Sequence, residues 1–199
     1  MHRSAIVGCG THSHQHAAVY PEIDDMSLVA CCDLDATRCR NYADRYGIPA
    51  TYDDLQAMLD AERPEIVHIV TQPDFRLPGI RAAAQAGAKA VIAEKPLALW
   101  PHELLEIAEV GAETGCRIIM NTQLRYFPQY GALREVIRSG RLGEVDFIRA
   151  STWGGALAMG PHLMSQLMMI LDDARPEAVW ATAEGLEGYD WSHGAPSHL

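Results

Sequence analysis

A glycine-rich turn near the amino terminus contains the first residues whose types and spacing suggest ligand binding. The sequence GCGTHS, with Gly8, Gly10 and Ser13, directly follows a short apolar run at residues 4–7 that predicts a buried strand. Two glycines at this spacing allow a tight turn and let a pyrophosphate approach the backbone, and Ser13 is small enough to keep the following helix close. The turn therefore predicts phosphate binding, and the alternative is a purely structural turn.

An acidic residue stands at the distance from this turn that dinucleotide binding requires. Residues 27–32 predict a second buried strand, and Asp33, which follows it, lies 20 residues after Ser13. A carboxylate at this position accepts hydrogen bonds from the adenosine ribose hydroxyls and repels a 2′-phosphate, so NAD is favoured over NADP. Arg38 and Arg40 leave NADP open, because a guanidinium from the next helix could hold that phosphate.

The stretch VIAEKPL, residues 91–97, carries a lysine directly after an apolar run. In open α/β sheets, ligands bind at the carboxyl ends of the strands, which is where Lys95 would lie. Its ammonium group could stabilise the alkoxide that develops during hydride transfer from an alcohol. The alternative is an exposed lysine paired with Glu94. Pro96 would stiffen the turn that directs the lysine, and a cis Lys95–Pro96 bond is one way to do so.

A histidine could accept the proton that the alcohol loses, because an imidazole titrates close to neutral pH. His162 stands among apolar residues in GPHLMSQLMMIL, so by itself it predicts a core histidine bonded to a backbone carbonyl. His12, His14 and His16 lie close together, but no neighbouring cysteine or carboxylate completes a tetrahedral metal site. No metal centre is predicted.

The elements that must position these residues alternate along the chain. Apolar runs predict strands at residues 4–7, 27–32, 65–70, 89–93 and 117–120, and helical spacing predicts helices at residues 14–20, 35–46, 53–60, 75–86 and 100–114. This alternation predicts an α/β fold with a doubly wound parallel sheet. The glycines at the ends of three of these helices, Gly47, Gly87 and Gly115, support the boundaries.

The regular alternation of strand and helix patterns ends after residue 121. This change predicts a dinucleotide-binding domain at residues 1–121 and a second domain at residues 122–199. In the second domain we expect helices near residues 129–139 and 161–171, and strands near residues 144–152 and 177–184. Two strands with open edges cannot easily bury both faces. We therefore expect a fragment, a truncated gene product, or a sheet that another subunit completes.

The net charge of −10 disfavours nucleic acid and anionic membrane surfaces as partners. No apolar run is long enough to span a bilayer and no signal peptide precedes the first strand, so a cytoplasmic protein is expected. The five cysteines form no CxxC pair, which favours reduced, mostly buried thiols.

These features together resemble the Gfo/Idh/MocA oxidoreductases, the family of glucose-fructose oxidoreductase and inositol dehydrogenase. The resemblance includes the glycine turn, Asp33, and the segments TQP at residues 71–73, EKP at 94–96, NTQLRYFP at 121–128, GRLGEV at 140–145, GGAL at 154–157 and GPH at 160–162. It implies an N-terminal Rossmann domain and a second α/β domain whose mostly antiparallel sheet covers the active site and builds a homodimer or homotetramer.

The resemblance also implies an NAD(P)-dependent enzyme that transfers hydride to or from a sugar- or cyclitol-like substrate. Lys95 and His162 occupy the positions that face the nicotinamide in the family. Positions expected to contact the cofactor are Gly8, Gly10, Thr11, His12, Ser13, Asp33, Thr71, Pro73, Glu94 and Lys95. Positions expected to contact the substrate are Arg125, Tyr126 and Trp153, since an arginine can bind sugar oxygens and aromatic rings can stack on a sugar face.

Two positions depart from the family pattern. Ala158 stands four residues before His162, where many dehydrogenating members carry an aspartate, and Ser165 replaces a second common aspartate. These departures keep an alternative open, a non-catalytic sensor or regulator that binds a dinucleotide on the same fold.

Overall fold

The computed structural model describes residues 1–182, and the chain divides into two compact units, Met1–Asn121 and Thr122–Leu199. The first unit is built on six parallel strands in the order β3-β2-β1-β4-β5-β6. The strands are β1 (His2–Val7), β2 (Met26–Cys32), β3 (Ala50–Tyr52), β4 (Ile66–Ile69), β5 (Ala90–Glu94) and β6 (Arg117–Asn121). This is the strand order of a dinucleotide-binding Rossmann sheet, so the predicted doubly wound α/β fold is confirmed.

Helices connect the successive strands of this sheet. They are α1 (Ser13–Ala18), α2 (Ala36–Tyr46), α3 (Leu55–Glu62), α4 (Arg76–Gln85) and α5 (Pro101–Thr114). Asp35 caps the start of α2 and Asp54 caps the start of α3, each by accepting a hydrogen bond from a backbone amide of the first turn. The expected ends are also found, since α2 stops at Gly47 and α5 at Gly115, both in the left-handed conformation.

The central strands are buried because helices cover both faces of the sheet. One core cluster contains Val67, Ile69, Ile80 and Val91, and a second contains Ile6 and Tyr42. Strands covered on both faces are nearly continuous in apolar residues, which is why all five predicted strands could be located within two residues at each end.

One strand escaped prediction. β3 spans only Ala50–Tyr52 and lies at the edge of the sheet beside β2. Its three residues are at most partly buried, so no apolar run marks it in the sequence.

The described part of the second unit is helical. It contains a 3-10 turn (Gln123–Tyr126), α6 (Pro128–Arg138) and α7 (Ala156–Ile170), which begins earlier than predicted and continues through Pro161. The strand predicted near residues 144–152 is wrong, and residues 177–182 of the last predicted strand are also not a strand. Residues 183 and 184 lie outside the described residues. An antiparallel strand needs a hydrogen-bonding neighbour, and residues 122–182 offer none.

Among residues 1–182, no helix is both long and apolar enough to cross a lipid bilayer.

Candidate dinucleotide and catalytic site

The glycine turn lies where the strand order of the sheet reverses, between β1 and β4. Gly8 follows β1 with φ of +90°, and a Cβ atom there would lie 2.4 Å from the carbonyl oxygen of Val70, just beyond β4. Only glycine allows this close approach of two backbones. The turn therefore opens the crevice that binds ligands in sheets of this type.

Gly10 has the opposite environment. A Cβ atom on Gly10 would meet nothing within 4 Å, so the open face of this residue can receive a bulky ligand group. Ser13 is fully buried, and its hydroxyl donates to the Gly10 carbonyl at 2.6 Å, which fixes the turn. Thr11 and His12 are exposed beside it. These residues fit a pyrophosphate that approaches the backbone at Gly10.

The Asp33 carboxylate is held at the end of β2. Its Oδ2 accepts from the Cys9 amide at 2.7 Å, and its Oδ1 accepts from the Asp35 amide at 2.9 Å. The side chain is 8% exposed, and the guanidinium of Arg38 lies 3.3 Å from Oδ1. Asp33 is thus fixed beside the glycine turn, as binding of a ribose at this turn requires.

The segment after β4 places a buried cation next to this crevice. Thr71 is partly buried, and Pro73 begins a 3-10 turn (Pro73–Phe75). Arg76 is 4% exposed and donates to the Thr71 carbonyl at 3.1 Å. Burial lowers the pKa of Arg76 to about 10, although the nearby Glu94 carboxylate opposes this shift, so the group stays charged at neutral pH.

Lys95 directly follows β5 and is partly buried. Its bond to Pro96 is cis, as the sequence suggested. The Glu94 side chain points back to the strand end, where Oε2 accepts from the Lys95 amide at 3.2 Å. Glu94 is buried, so the exposed Glu94–Lys95 pair that served as the alternative is not found.

A buried polar network around Glu94 was not predicted. His16 on α1 contacts Glu94 through Nε2 at 3.0 Å and His68 on β4 through Nδ1 at 3.0 Å. The amide of Asn121, at the end of β6, donates to Glu94 at 2.7 Å, and the Tyr20 hydroxyl contacts His68 at 2.7 Å. The network joins residues of α1, β4, β5 and β6 that are far apart in the chain.

The charges in this network follow from burial and hydrogen bonding. Burial alone would raise the pKa of Glu94, but hydrogen bonds from His16 and Asn121 outweigh it and lower the pKa to about 2. Burial lowers the pKa of His68 to about 3, and the neighbouring His16 contributes to this shift. Glu94 is therefore ionised and His68 neutral near neutral pH.

Three of the five cysteines meet behind the glycine turn. All five are free and buried, as expected. The sulfur atoms of Cys9, Cys31 and Cys39 lie within 4.8 Å of one another, a grouping that the sequence did not reveal. The thiols of Cys31 and Cys39 have backbone carbonyl oxygens within hydrogen-bonding distance, so they are satisfied in the protonated state.

The second unit contains the other predicted residues. His162 is 4% exposed and lies on α7, the helix that also carries Ala158 and Ser165. Arg125 makes a bidentate ion pair with Asp173, with both oxygens at 2.8 Å from Nη2.

Aromatic groups of this unit are open to solvent. Tyr126 is 78% exposed and Trp153 is 82% exposed. Arg125 and Tyr126 line a surface pocket of about 420 Å³ together with Arg134 and Asp173.

Known proteins share both the sequence pattern and the fold. D-apiose dehydrogenase of Paraburkholderia graminis is 32% identical over 149 residues, which are 75% of this chain and 40% of that protein. D-glucoside 3-dehydrogenase of Escherichia coli is 32% identical over 144 residues, 72% of this chain and 41% of that protein. The chain thus spans about two fifths of the length of these relatives.

A solved structure agrees with this similarity. The WlbA dehydrogenase of Bordetella pertussis, in complex with NADH and UDP-GlcNAcA, superposes with a TM-score of 0.66 at 25% identity, over 71% of this chain and 43% of that one. The family model for the Gfo/Idh/MocA oxidoreductases, described as an oxidoreductase family with an NAD-binding Rossmann fold, matches residues 2–122. With this match, the strand order and the glycine turn, the chain belongs to the Gfo/Idh/MocA oxidoreductase family.

Proposed function

We propose that the protein is an NAD-dependent dehydrogenase that transfers hydride between the nicotinamide and a hydroxyl or carbonyl carbon of a sugar- or cyclitol-like substrate. The observation that carries the proposal is the position of Lys95. Gly8, Asp33 and Lys95 follow β1, β2 and β5, and all six strands are parallel, so the three residues lie at the same edge of the sheet.

Different residues of the crevice bind different parts of the cofactor in this proposal. The open backbone at Gly10 receives the pyrophosphate, with Thr11 and His12 beside it, and Asp33 accepts from the ribose hydroxyls. Thr71, Pro73 and Glu94 border the crevice from β4 and β5. Asp33 also supports NAD over NADP, because its carboxylate would repel a 2′-phosphate and the Arg38 guanidinium is already paired with Asp33 and Asp35.

At the reacting end, bound NAD supplies the hydride acceptor. The Lys95 ammonium stabilises the negative charge that develops on the substrate oxygen as its proton leaves. His162 is the proposed proton acceptor, on the family position, and its partner aspartate is replaced by Ala158. Arg125, Tyr126 and Trp153 remain the proposed substrate contacts. Sugar-like substrates are supported by the names of the two relatives.

We also propose a cytoplasmic homodimer or homotetramer. The second unit exposes several large apolar side chains, namely Leu142, Phe147 and Trp180, whose burial between subunits would be favourable. The free buried thiols suit a reducing compartment. Light scattering on a size-exclusion column measures the state, and a monomer at all concentrations would contradict the proposal.

The test of the dehydrogenase proposal is turnover on a panel of sugars and cyclitols, followed by NADH absorbance. Lys95→Met should lower kcat/KM by about 10²–10⁴-fold, the usual contribution of an acid-base group. The matched control is Lys89→Met, because the chain has two lysines and Lys89 pairs with Glu65 on the surface. His162→Gln is measured in the same way.

Activity that survives Lys95→Met at the wild-type level would refute the assignment of Lys95. NAD(H) binding without turnover on any member of the panel would contradict the dehydrogenase proposal and support the sensor.

A further inference from the structure

The polar network behind β5 connects the helix of the cofactor turn to the proposed catalytic lysine. His16 lies on α1, which begins directly after the glycine turn. Glu94 is the last residue of β5 and the immediate neighbour of Lys95. A hydrogen bond between His16 Nε2 and Glu94 Oε1, at 3.0 Å, links these two elements.

The Glu94 carboxylate is fixed from three sides. Oε1 accepts from His16 and from Asn121, and Oε2 accepts from the Lys95 amide. The side chains of His16 and Glu94 are 5% and 10% exposed, so water competes weakly for these bonds. A carboxylate held in this way restrains the backbone from which the Lys95 side chain projects.

The directions of these hydrogen bonds can be assigned. An ionised carboxylate only accepts, so Nε2 of His16 must carry the hydrogen. His16 Nδ1 and His68 Nδ1, 3.0 Å apart, then share one hydrogen, and Tyr20 completes the chain at the other nitrogen of His68. The bond from His16 to Glu94 is kept whichever of the two Nδ1 atoms donates.

We propose that His16 is a positioning residue for Lys95, and that it acts by holding the Glu94 carboxylate against the Lys95 amide. The proposal rests on the proposed role of Lys95 in hydride transfer. It deepens that role, because the same helix that follows the cofactor turn then aligns the lysine. His16 itself touches neither the cofactor nor the substrate in this proposal, so its loss should lower kcat much more than cofactor affinity.

Two substitutions of His16 separate this role from general packing. In His16→Gln the side-chain nitrogen can occupy the place of Nε2, so the bond to Glu94 is kept and the bond to His68 is lost. In His16→Asn the side-chain nitrogen can occupy the place of Nδ1, so the bond to His68 is kept and the bond to Glu94 is lost. The matched control is His14→Gln on the same helix, since His14 bonds Tyr46 and lies outside the network.

The first measurement needs no turnover. Because the chain has two lysines, [¹⁵N]lysine labelling yields two backbone amide signals, from Lys95 and from the internal reference Lys89. We expect His16→Asn to move the Lys95 signal and leave Lys89 in place, as Glu94→Gln should also do. His16→Gln should leave the Lys95 signal near its wild-type position, and His14→Gln should move neither.

The second measurement is kinetic, on the same proteins. His16→Asn should lower kcat by about 10–100-fold, a size typical of a misplaced catalytic group, with the dissociation constant of NADH within about twofold of wild type. His16→Gln should restore most of kcat. If His16→Asn leaves the Lys95 signal and kcat unchanged, or if the two His16 variants behave alike, the inference is wrong.

The parallel Lys95→Met variant distinguishes the two possible failures. If Lys95→Met has no effect on turnover, the proposed function of Lys95 fails. The lysine signals then still report whether His16 restrains the strand end.

Discussion

The two glycines of the turn look alike in the sequence, but their replacement by alanine should have different effects. Gly8→Ala should lower stability, whereas Gly10→Ala should weaken NADH binding. Gly8 has φ of +90°, and its added Cβ would lie 2.4 Å from the Val70 carbonyl oxygen. That oxygen belongs to backbone, and the Val70 amide is bonded to the Val7 carbonyl at 2.8 Å, so it cannot move without disturbing β1 and β4. Gly10 has nothing within 4 Å of the added atom.

The expected sizes follow from these environments. A left-handed backbone costs an alanine about 1–2 kcal/mol, and relief of the overlap at Val70 adds a similar amount. Gly8→Ala should therefore lower the free energy of unfolding by about 3 kcal/mol, which corresponds to a Tm about 10 °C lower. Gly10→Ala should change stability by less than about 0.5 kcal/mol. It should weaken NADH binding at least about tenfold, because the methyl group occupies the open face where the pyrophosphate approaches.

The assay pairs urea unfolding with NADH titration followed by nicotinamide fluorescence. Wild type and Asp54→Asn, a variant that keeps a capping side chain at the start of α3, serve as references. Wild-type NADH affinity in Gly10→Ala would refute the placement of the pyrophosphate at this turn. Wild-type stability in Gly8→Ala would refute the close approach between β1 and β4.

Three further outcomes are expected. Asp33→Asn removes the negative charge that faces the ribose, so NAD affinity should fall about tenfold while NADP affinity rises, both measured by calorimetry; equal losses for both cofactors would contradict the assignment. His68 has its pKa lowered to about 3 in the folded state, so below about pH 6.5 the unfolded chain binds a proton that the folded chain does not. Between about pH 7 and about pH 5, the free energy of unfolding of the wild type should therefore fall more steeply than that of His68→Gln. The difference in slope, measured by urea unfolding, should be up to about 1.4 kcal/mol per pH unit. The control His102→Gln, which changes an exposed histidine, should follow the wild type. The Asp54 carboxylate caps α3 by accepting from the Ala57 amide at 2.7 Å. Asp54→Ala should therefore lower the free energy of unfolding by about 1 kcal/mol without changing NADH affinity. An unchanged midpoint in urea would show that the cap contributes nothing.

The parts of the fold that could be predicted from the sequence depend on local patterns. The turn from Gly8 to Ser13 and the placement of Asp33 follow from spacing along one βαβ unit, and each buried strand of the first unit other than β3 is marked by its own apolar run. Lys95 could be placed at a strand end for the same reason.

The buried network could not be predicted, because its members are distant in sequence and ordinary in type. His16 lies in a histidine-rich stretch for which the sequence predicts no metal site, and His68 lies inside an apolar strand with no partner visible in the sequence. Only the order of β1, β4, β5 and β6 brings them to Glu94. The wrong strand near residues 144–152 has the opposite cause, since its apolar pattern is present but residues 122–182 hold no strand to pair with it.

The most direct test of the central claim is a crystal structure of the protein with NADH. We expect the pyrophosphate over Gly10, the adenosine ribose hydroxyls within hydrogen-bonding distance of Asp33, and the nicotinamide beside Lys95 at the carboxyl end of β5. A cofactor bound elsewhere, or a nicotinamide directed away from Lys95, would contradict it.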